Sequence, residues 1–202
     1  MTKKTFLPLI LTLLSLPLSS WSVDKNCFPA EMIPDNLFPV VRLETSMGII
    51  EVELNRMRAP ATSNNFLRYV LEGGYDGTIF HRVMPGFVVQ GGGYTPEIKE
   101  TAEHESIFNE SGNGLQNIRG SVAMARYNDP HSATNQFFFN MENNTSLDPS
   151  SRSWGYAVFG EVISGMEVLE AISDVETAYS EKLNAEDVPV EQVLLIKATV
   201  KD

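Results

Sequence analysis

The sequence has 202 residues, of which 43% are hydrophobic and 20% charged, as in an ordinary globular protein with one domain and a sizeable core. Its 26 acidic residues outnumber its 15 lysines and arginines, giving a formal net charge of −11. An acidic chain repels nucleic acid and anionic lipid surfaces, so neither is expected as a partner, and the charge itself indicates little beyond solubility.

The N-terminal segment has the pattern of a secretory signal. Lys3 and Lys4 precede a short apolar run, and the small residues Ser20 and Ser22 follow it. The run is shorter than the roughly 20 residues that cross a bilayer, so stable membrane insertion is not expected. We predict a signal peptide over residues 1–22, with an uncleaved anchor as the alternative.

Residues 23–38 form the next segment, and they show no clear periodicity. They contain Pro29, Pro34 and charges of both signs, which indicates an N-terminal arm or linker. Cys27 lies in this arm and, as the one cysteine of the sequence, can form no intrachain disulfide. The domain that follows is predicted to cover residues 39–202.

The domain begins with a pattern typical of a β-hairpin over residues 40–54. Val41 and Leu43 alternate with polar residues, and so do Ile50 and Val52 after a turn that contains glycine. Period-two alternation places one apolar face of each strand toward a core.

Two helices are predicted. Pro60 opens the first, where the missing N–H costs nothing, Phe66 and Val70 share its apolar face, and a glycine pair ends it. The second has Leu169 and Ile172 on one face.

Between and after the helices lie further short β-like runs bounded by Gly, Pro, Asn or Asp. They are Ile79–Val83, Phe87–Gly91, Ser121–Ala125, Gln136–Asn140, Tyr156–Val162 and Val193–Val200. Many short strands with only two helices predict a mainly β fold, in which a closed antiparallel barrel carries helices over its open ends.

Conventional catalytic motifs are missing from the sequence. It contains no nucleophile elbow and no zinc-binding helix, and His81, His104 and His131 lack the spacing of metal ligands. The run Gly91–Gly93 is not followed by the lysine of a phosphate loop, which favours a bend where backbones approach closely. Neither a metal nor a cofactor is predicted.

Arg82 is the remaining candidate, because it is a basic residue within the apolar stretch Phe80–Phe87. Gln90 follows it, and the aromatic run Phe137–Phe139 comes later. Composition alone favours a structural interpretation, in which the aromatic residues form a core and Arg82 is a surface or ion-paired residue.

Four motifs, taken together and in order, resemble those of the cyclophilins. They are FHRVMPGFVVQGGG at 80–93, GSVAMA at 120–125, NQFFF at 135–139 and VFGEV at 158–162. The hairpin and the first helix fit the same order, so the resemblance extends from about residue 39 to residue 200. Four motifs in order make coincidence improbable.

The resemblance implies an eight-stranded antiparallel barrel with two α-helices and peptidyl-prolyl cis/trans isomerase activity in an outer groove. Arg82 resembles the catalytic arginine, and Gln90 resembles the glutamine that braces it. The other implied substrate-binding positions are the pocket walls Phe87, Val88, Phe138 and Leu147 and the backbone-contacting Ala125, Arg126 and Gln136.

Three positions depart from the best-known eukaryotic pattern of this family. Ser146 stands where a tryptophan is usual, Tyr156 where a histidine is usual, and Arg126 where an asparagine is common. Exported bacterial members often share the first two departures. The resemblance therefore implies the periplasm of a Gram-negative bacterium, weak cyclosporin binding, and Tyr156 as a substrate-binding residue.

The expected substrates are proline-containing unfolded or partly folded polypeptides, which the enzyme would help to fold in the cell envelope. A monomer is expected. The alternative is an envelope chaperone that binds peptides, with isomerisation secondary. A purely structural role gives no reason for a polar Arg82–Gln90 pair among apolar walls.

Overall fold

The computed structural model describes residues 36–201. The predicted signal peptide, Cys27 and nearly all of the predicted arm lie outside the described residues. Within that range the strands are β1 (Val40–Thr45), β2 (Gly48–Leu54), β3 (Thr78–Met84), β4 (Val88–Gly91), β5 (Ser121–Met124), β6 (Phe137–Asn140), β7 (Val158–Ser164), β8 (Thr177–Ser180), β9 (Ala185–Pro189) and β10 (Val193–Val200). The helices are α1 (Pro60–Glu72) and α2 (Met166–Ser173), with 3-10 turns at Ser111–Asn113 and Thr145–Leu147. No helix of this range is long and apolar enough to span a membrane.

Eight of the strands close into an antiparallel barrel in the order β1-β10-β3-β4-β6-β5-β7-β2. The predicted eight-stranded barrel with two α-helices is therefore confirmed. The strands β8 and β9 form a separate hairpin outside the barrel, and this hairpin was not predicted from the sequence. Its residues are mostly exposed or half-buried, so it lacks the strong apolar alternation that marks the barrel strands.

The core of the barrel follows from the alternation predicted for the first hairpin. Val41 pairs with Val52 and Leu43 with Ile50, and all four side chains are fully buried. Burial of an aliphatic side chain of this size stabilises the fold by about 1.5–3 kcal/mol. Aromatic residues fill the rest, and the Phe66 ring lies 5.0–5.2 Å from the rings of three others, Tyr75, Phe137 and Phe159.

The helix α1 begins at Pro60, as predicted, but its N-terminus is capped from a distant loop. Ala59 offers no side-chain cap, and the Glu110 carboxylate accepts hydrogen bonds from the N–H groups of Ala61 and Thr62 at 3.2 and 2.8 Å. Gly73, with φ of 71°, ends the helix in the left-handed conformation that glycine adopts at little cost. The first helix is thereby tied to the loop that leads into the first 3-10 turn.

The glycine run Gly91–Gly93 is the predicted bend where backbones approach closely. A Cβ atom on Gly93 would lie 2.6 Å from the Gln136 side chain, and one on Gly92 would lie 2.9 Å from the Tyr75 ring. Side chains larger than hydrogen would therefore displace Gln136, which lines the cleft described below, and the core ring of Tyr75.

Candidate functional site

The side chain of Arg82 reaches the outer face of the barrel because of a β-bulge in β3. Phe80 is opposite Gly91 and Arg82 is opposite Gln90, so β3 contains one more residue than β4 over this stretch. Phe80 and Val83 both pack into the core. A regular strand would put one of these two residues on each face, and the bulge instead leaves Arg82 free to point away from the core.

Within residues 36–201, the guanidinium of Arg82 has one hydrogen bond and one ion-pair contact. Its Nη2 donates a hydrogen bond to the Met84 sulfur at 3.0 Å, and its Nε lies 3.9 Å from the Asp187 carboxylate. About two-fifths of the side chain remains exposed. The charged group is thus accessible from solvent while held at one edge.

Gln90 is oriented differently from the expectation. Its amide Nε2 donates to Oε1 of Gln136 at 2.9 Å, and among residues 36–201 it makes no hydrogen bond to Arg82. The direct brace between Gln90 and Arg82 that the resemblance implies is absent from this structure. Gln90 instead orients Gln136, and the groups next to the Arg82 guanidinium are Met84 and Asp187.

An apolar cluster lies on the outer wall of the barrel beside Gln90. We call it the outer cluster. Its buried members are Val88, Ala123, Phe138 and Val158, and the partly buried members are Phe87, Leu115, Ala125, Leu147 and Tyr156. The Phe138 ring meets the Tyr156 ring edge-on at 5.6 Å. The structure therefore brings together the four predicted pocket walls with Tyr156 and Ala125.

Strand register explains how residues from distant parts of the chain form this surface. Arg82 is opposite Gln90, Gln90 is opposite Phe138, and Phe138 is opposite Ala123. Ala123 is in turn opposite Val158. Directly opposed residues have Cβ atoms about 5 Å apart, so one row across five strands runs from a charged end to an apolar end.

A small cleft of about 90 Å³ adjoins the row on its polar side. It is lined by Gln90, Ala125, Arg126, Tyr127, Ser132, Thr134 and Gln136. The Ala125 N–H donates to the Gln136 carbonyl at 2.9 Å, which joins the two predicted backbone-contacting segments.

The Arg126 side chain lies at the cleft and links the segment after β5 to the loop before β7. It donates to the carbonyls of Tyr127, Trp154 and Gly155 at 2.8–3.2 Å, and its guanidinium carbon lies 4.6 Å from the centre of the Tyr156 ring. In the described part of the chain, its own backbone N–H and C=O make no hydrogen bond. An extended peptide can pair with such free backbone groups.

The pKa of His81 is lowered to about 4, mainly because burial disfavours the charged ring and in smaller part because the neighbouring Arg82 is positively charged. The ring packs against Tyr94 with centroids 4.8 Å apart. His81 is therefore neutral at neutral pH and adds no positive charge beside Arg82. Within residues 36–201, no three His, Cys, Asp or Glu side chains gather in an arrangement that would hold a metal ion.

Comparison with known proteins identifies the family. A sequence model described as cyclophilin type peptidyl-prolyl cis-trans isomerase/CLD matches residues 40–200. The chain is 50% identical over 163 residues to peptidyl-prolyl cis-trans isomerase cyp18 of Streptomyces antibioticus, which covers 79% of this chain and 97% of that one. It is 46% identical over 166 residues to peptidyl-prolyl cis-trans isomerase B of Escherichia coli strain K12, covering 81% and 100%. The chain belongs to the cyclophilin-type peptidyl-prolyl cis-trans isomerases.

A solved cyclophilin has the same architecture. The crystal structure of a Cryptosporidium parvum cyclophilin type isomerase, in the presence of the dipeptide Ala-Pro, matches with a TM-score of 0.68 at 25% identity. The match covers 81% of this chain and 99% of that one. This cyclophilin is therefore an enzyme that isomerises X-Pro peptide bonds, as its relatives are named for doing.

Several residues of this cyclophilin's site were not predicted from the sequence. Ala123 and Val158 join the outer cluster through strand register, and Leu115 joins it from the loop before β5. Ala123 had a usable signal, since it lies two positions before the predicted Ala125 and so shares its face of the strand. Asp187 had none, because the hairpin that carries it was not predicted.

Proposed function

We propose that Arg82 is the catalytic group of this isomerase and that the outer cluster holds the proline ring of the substrate. The observation that carries this proposal is the row from Arg82 through Gln90 to Phe138. It sets an accessible guanidinium beside an apolar surface large enough for a five-membered ring.

The reaction requires no bond to be made or broken. Rotation about an X-Pro bond is slow because partial double-bond character gives a barrier of about 18–20 kcal/mol. In the twisted state, the proline nitrogen is pyramidal and its lone pair is free to accept a hydrogen bond. A guanidinium that donates to this lone pair therefore favours the twisted state over both planar states.

Arginine suits this role because it stays protonated and presents its donors in a rigid planar fork. A rate gain on the order of 10⁵ requires about 7 kcal/mol of preference for the transition state. A charge-assisted hydrogen bond in a groove that excludes water supplies part of it, and apolar walls supply more by removing water that solvates the planar amide.

The free backbone groups of Arg126 support substrate binding on the other side of the cleft. A client chain that pairs with them in extended form would lie across the cleft with its proline toward Phe138. Because this contact is made to the backbone of the client and not to its side chains, we propose broad specificity for proline-containing unfolded or partly folded polypeptides. We propose further that the enzyme acts as a monomer on exported proteins in the cell envelope.

The proposal is tested by Arg82→Ala in a protease-coupled assay on a short proline peptide. We expect a loss of at least about 100-fold in kcat/KM with an unchanged unfolding midpoint, since one electrostatic donor typically contributes this much. Arg42→Ala is the matched control, because Arg42 is an equally exposed strand arginine that pairs with Glu44. Near-full activity of a folded Arg82→Ala variant would overturn the catalytic role.

A peptide-binding chaperone is the second candidate function. Tyr127 is an exposed aromatic residue that lines the cleft, Phe108 and Trp154 are exposed rings in contact with each other, and such residues can bind unfolded chains regardless of proline. The same Arg82→Ala variant separates the two functions. The chaperone function would be favoured if Arg82→Ala still fully suppresses the aggregation of a proline-free client and if the wild-type protein has a negligible effect on the folding rate of a proline-containing client.

A further inference from the structure

The hairpin β8–β9 lies outside the barrel with β9 against β3, the strand that carries Arg82. The hairpin contains a β-bulge. Ala178 is opposite Val188 and Ser180 is opposite Ala185, so β9 contains one residue more than β8 between these pairs. Bulges redirect side chains and are frequent next to active sites.

Asp187 is one of the two β9 residues that lie between these pairs, and its backbone is in the left-handed region with φ of 62°. Residues other than glycine seldom adopt this conformation, although Asp and Asn tolerate it better than most. The Asp187 carboxylate lies 3.9 Å from Nε of Arg82, and both side chains are between one-third and about two-fifths exposed. An unusual backbone conformation thus coincides with a charged contact to the proposed catalytic group.

We infer that Asp187 is a positioning residue for Arg82, an inference that rests on the catalytic role proposed for Arg82. Asp187 attracts the Nε edge of the guanidinium, and the Met84 sulfur accepts from Nη2. Among the described residues, Nη1 has no hydrogen bond and is available to a substrate amide. Within residues 36–201, the two contacts therefore leave both N–H groups of Nη1 free for the substrate.

This arrangement reduces the disorder of a long, partly exposed side chain before the substrate arrives. An arginine that must be ordered during the reaction loses rotamer freedom at that moment, which raises the barrier. Because both groups are partly exposed, the ion pair contributes little to folding. Its effect is therefore expected in kcat rather than in stability or in KM.

Asp187→Asn is the direct test, because asparagine keeps the shape and the left-handed backbone while removing the charge. We expect kcat to fall about two- to fivefold, the range that partly exposed ion pairs support, with KM and the unfolding midpoint unchanged. Asp187→Glu should recover part of the loss. Glu186→Gln is the matched control, since Glu186 is an exposed carboxylate on the same bulge, and it should leave kcat unchanged.

Salt provides a readout that a structural role would not affect. Added salt should lower the kcat of the wild type toward that of Asp187→Asn, and the variant itself should respond less, because ions screen exposed charge pairs.

Asp187→Asn should also cause no further loss of activity in an Arg82→Ala background. An active Arg82→Ala enzyme would overturn the catalytic proposal. An inactive Arg82→Ala together with wild-type kcat for Asp187→Asn, or an equal loss in Glu186→Gln, would overturn this inference alone.

Discussion

His81 and Arg82 are adjacent in sequence, yet the fold gives them opposite electrostatic environments. Arg82 is partly exposed and charged, whereas His81 is buried and its pKa is lowered to about 4. The unfolded chain binds a proton on this histidine below about pH 6.5, and the folded chain does not until about pH 4. Above about pH 6.5 the histidine is neutral in both states and does not affect the free energy of unfolding. As the pH falls from 6.5 to about 4, the unfolded state gains the proton first, so the folded state becomes progressively less stable relative to it.

We predict that this histidine makes the free energy of unfolding fall by about 3 kcal/mol between pH 7 and pH 4, in addition to the effect of the carboxyl groups. His81→Gln removes the titrating ring and should show a correspondingly smaller fall, whatever its stability at pH 7. Urea denaturation of both proteins at several pH values measures the difference. Parallel pH profiles for the two proteins would contradict the assignment.

At the scale of single residues, the sequence was informative where a short motif carries the information. Arg82, Phe138 and Tyr156 were chosen by resemblance, and the structure gathers them on one outer surface. The direction of a polar side chain was not predictable in this way. Gln90 bonds to Gln136 rather than to Arg82, because its orientation depends on partners from another strand.

The 3-10 turn Thr145–Leu147 borders the outer cluster. Leu147 faces the outer cluster, and the neighbouring Ser146 is exposed. A serine offers neither the stacking area nor the ring N–H of the tryptophan that is usual at this position. We therefore propose weak cyclosporin binding.

We predict that cyclosporin inhibits the wild-type enzyme only well above nanomolar concentration. Ser146→Trp should bind cyclosporin at least about tenfold more tightly, since a buried aromatic contact contributes about 1–2 kcal/mol. Inhibition titrations in the proline peptide assay measure both values. Thr145→Trp places the same ring one position away and serves as the control. Nanomolar inhibition of the wild type would rule the proposal out.

At the scale of elements, the barrel strands were predictable from local patterns, whereas strand register and the hairpin β8–β9 were not. In the predicted last strand the apolar residues Leu194, Ile196, Ala198 and Val200 occupy alternate positions, but a bulge opposite Glu44 and Thr45 leaves Ile196 exposed. Leu195 is buried instead. A bulge shifts the pattern by one residue and depends on the partner strand, so local alternation cannot reveal it. The hairpin β8–β9 was missed for a different reason, because its strands have no strong apolar face.

At the scale of the whole molecule, the barrel order could not be derived from local patterns. β10 lies between β1 and β3, and β6 lies between β4 and β5, so neighbours in the barrel are often distant in sequence. The many short strands with only two helices predicted a closed antiparallel barrel, and the resemblance to cyclophilins implied that it has eight strands. Local periodicity contains no information on the order of the strands around the barrel.

Export is a property of the full chain, and it stays a prediction because residues 1–35 lie outside the described structure. We propose that the protein is processed after Ser22 and resides in the periplasm, on the basis of its N-terminal pattern. Cell fractionation with mass spectrometry should find a mature chain that begins at Val23. A chain lacking residues 2–22 serves as the control and should stay in the cytoplasm. An unprocessed chain in the membrane fraction would favour an anchor.

The row from Arg82 to Val158 crosses the outer wall of a barrel that has no open edge. Its spacing is therefore set by the hydrogen-bonded ladder itself, and a client can reach it without any strand separating. A polypeptide need not be threaded through the enzyme or release an end to be bound. We therefore expect a proline in a surface loop of a nearly folded protein to be as accessible to this site as one in a nascent chain.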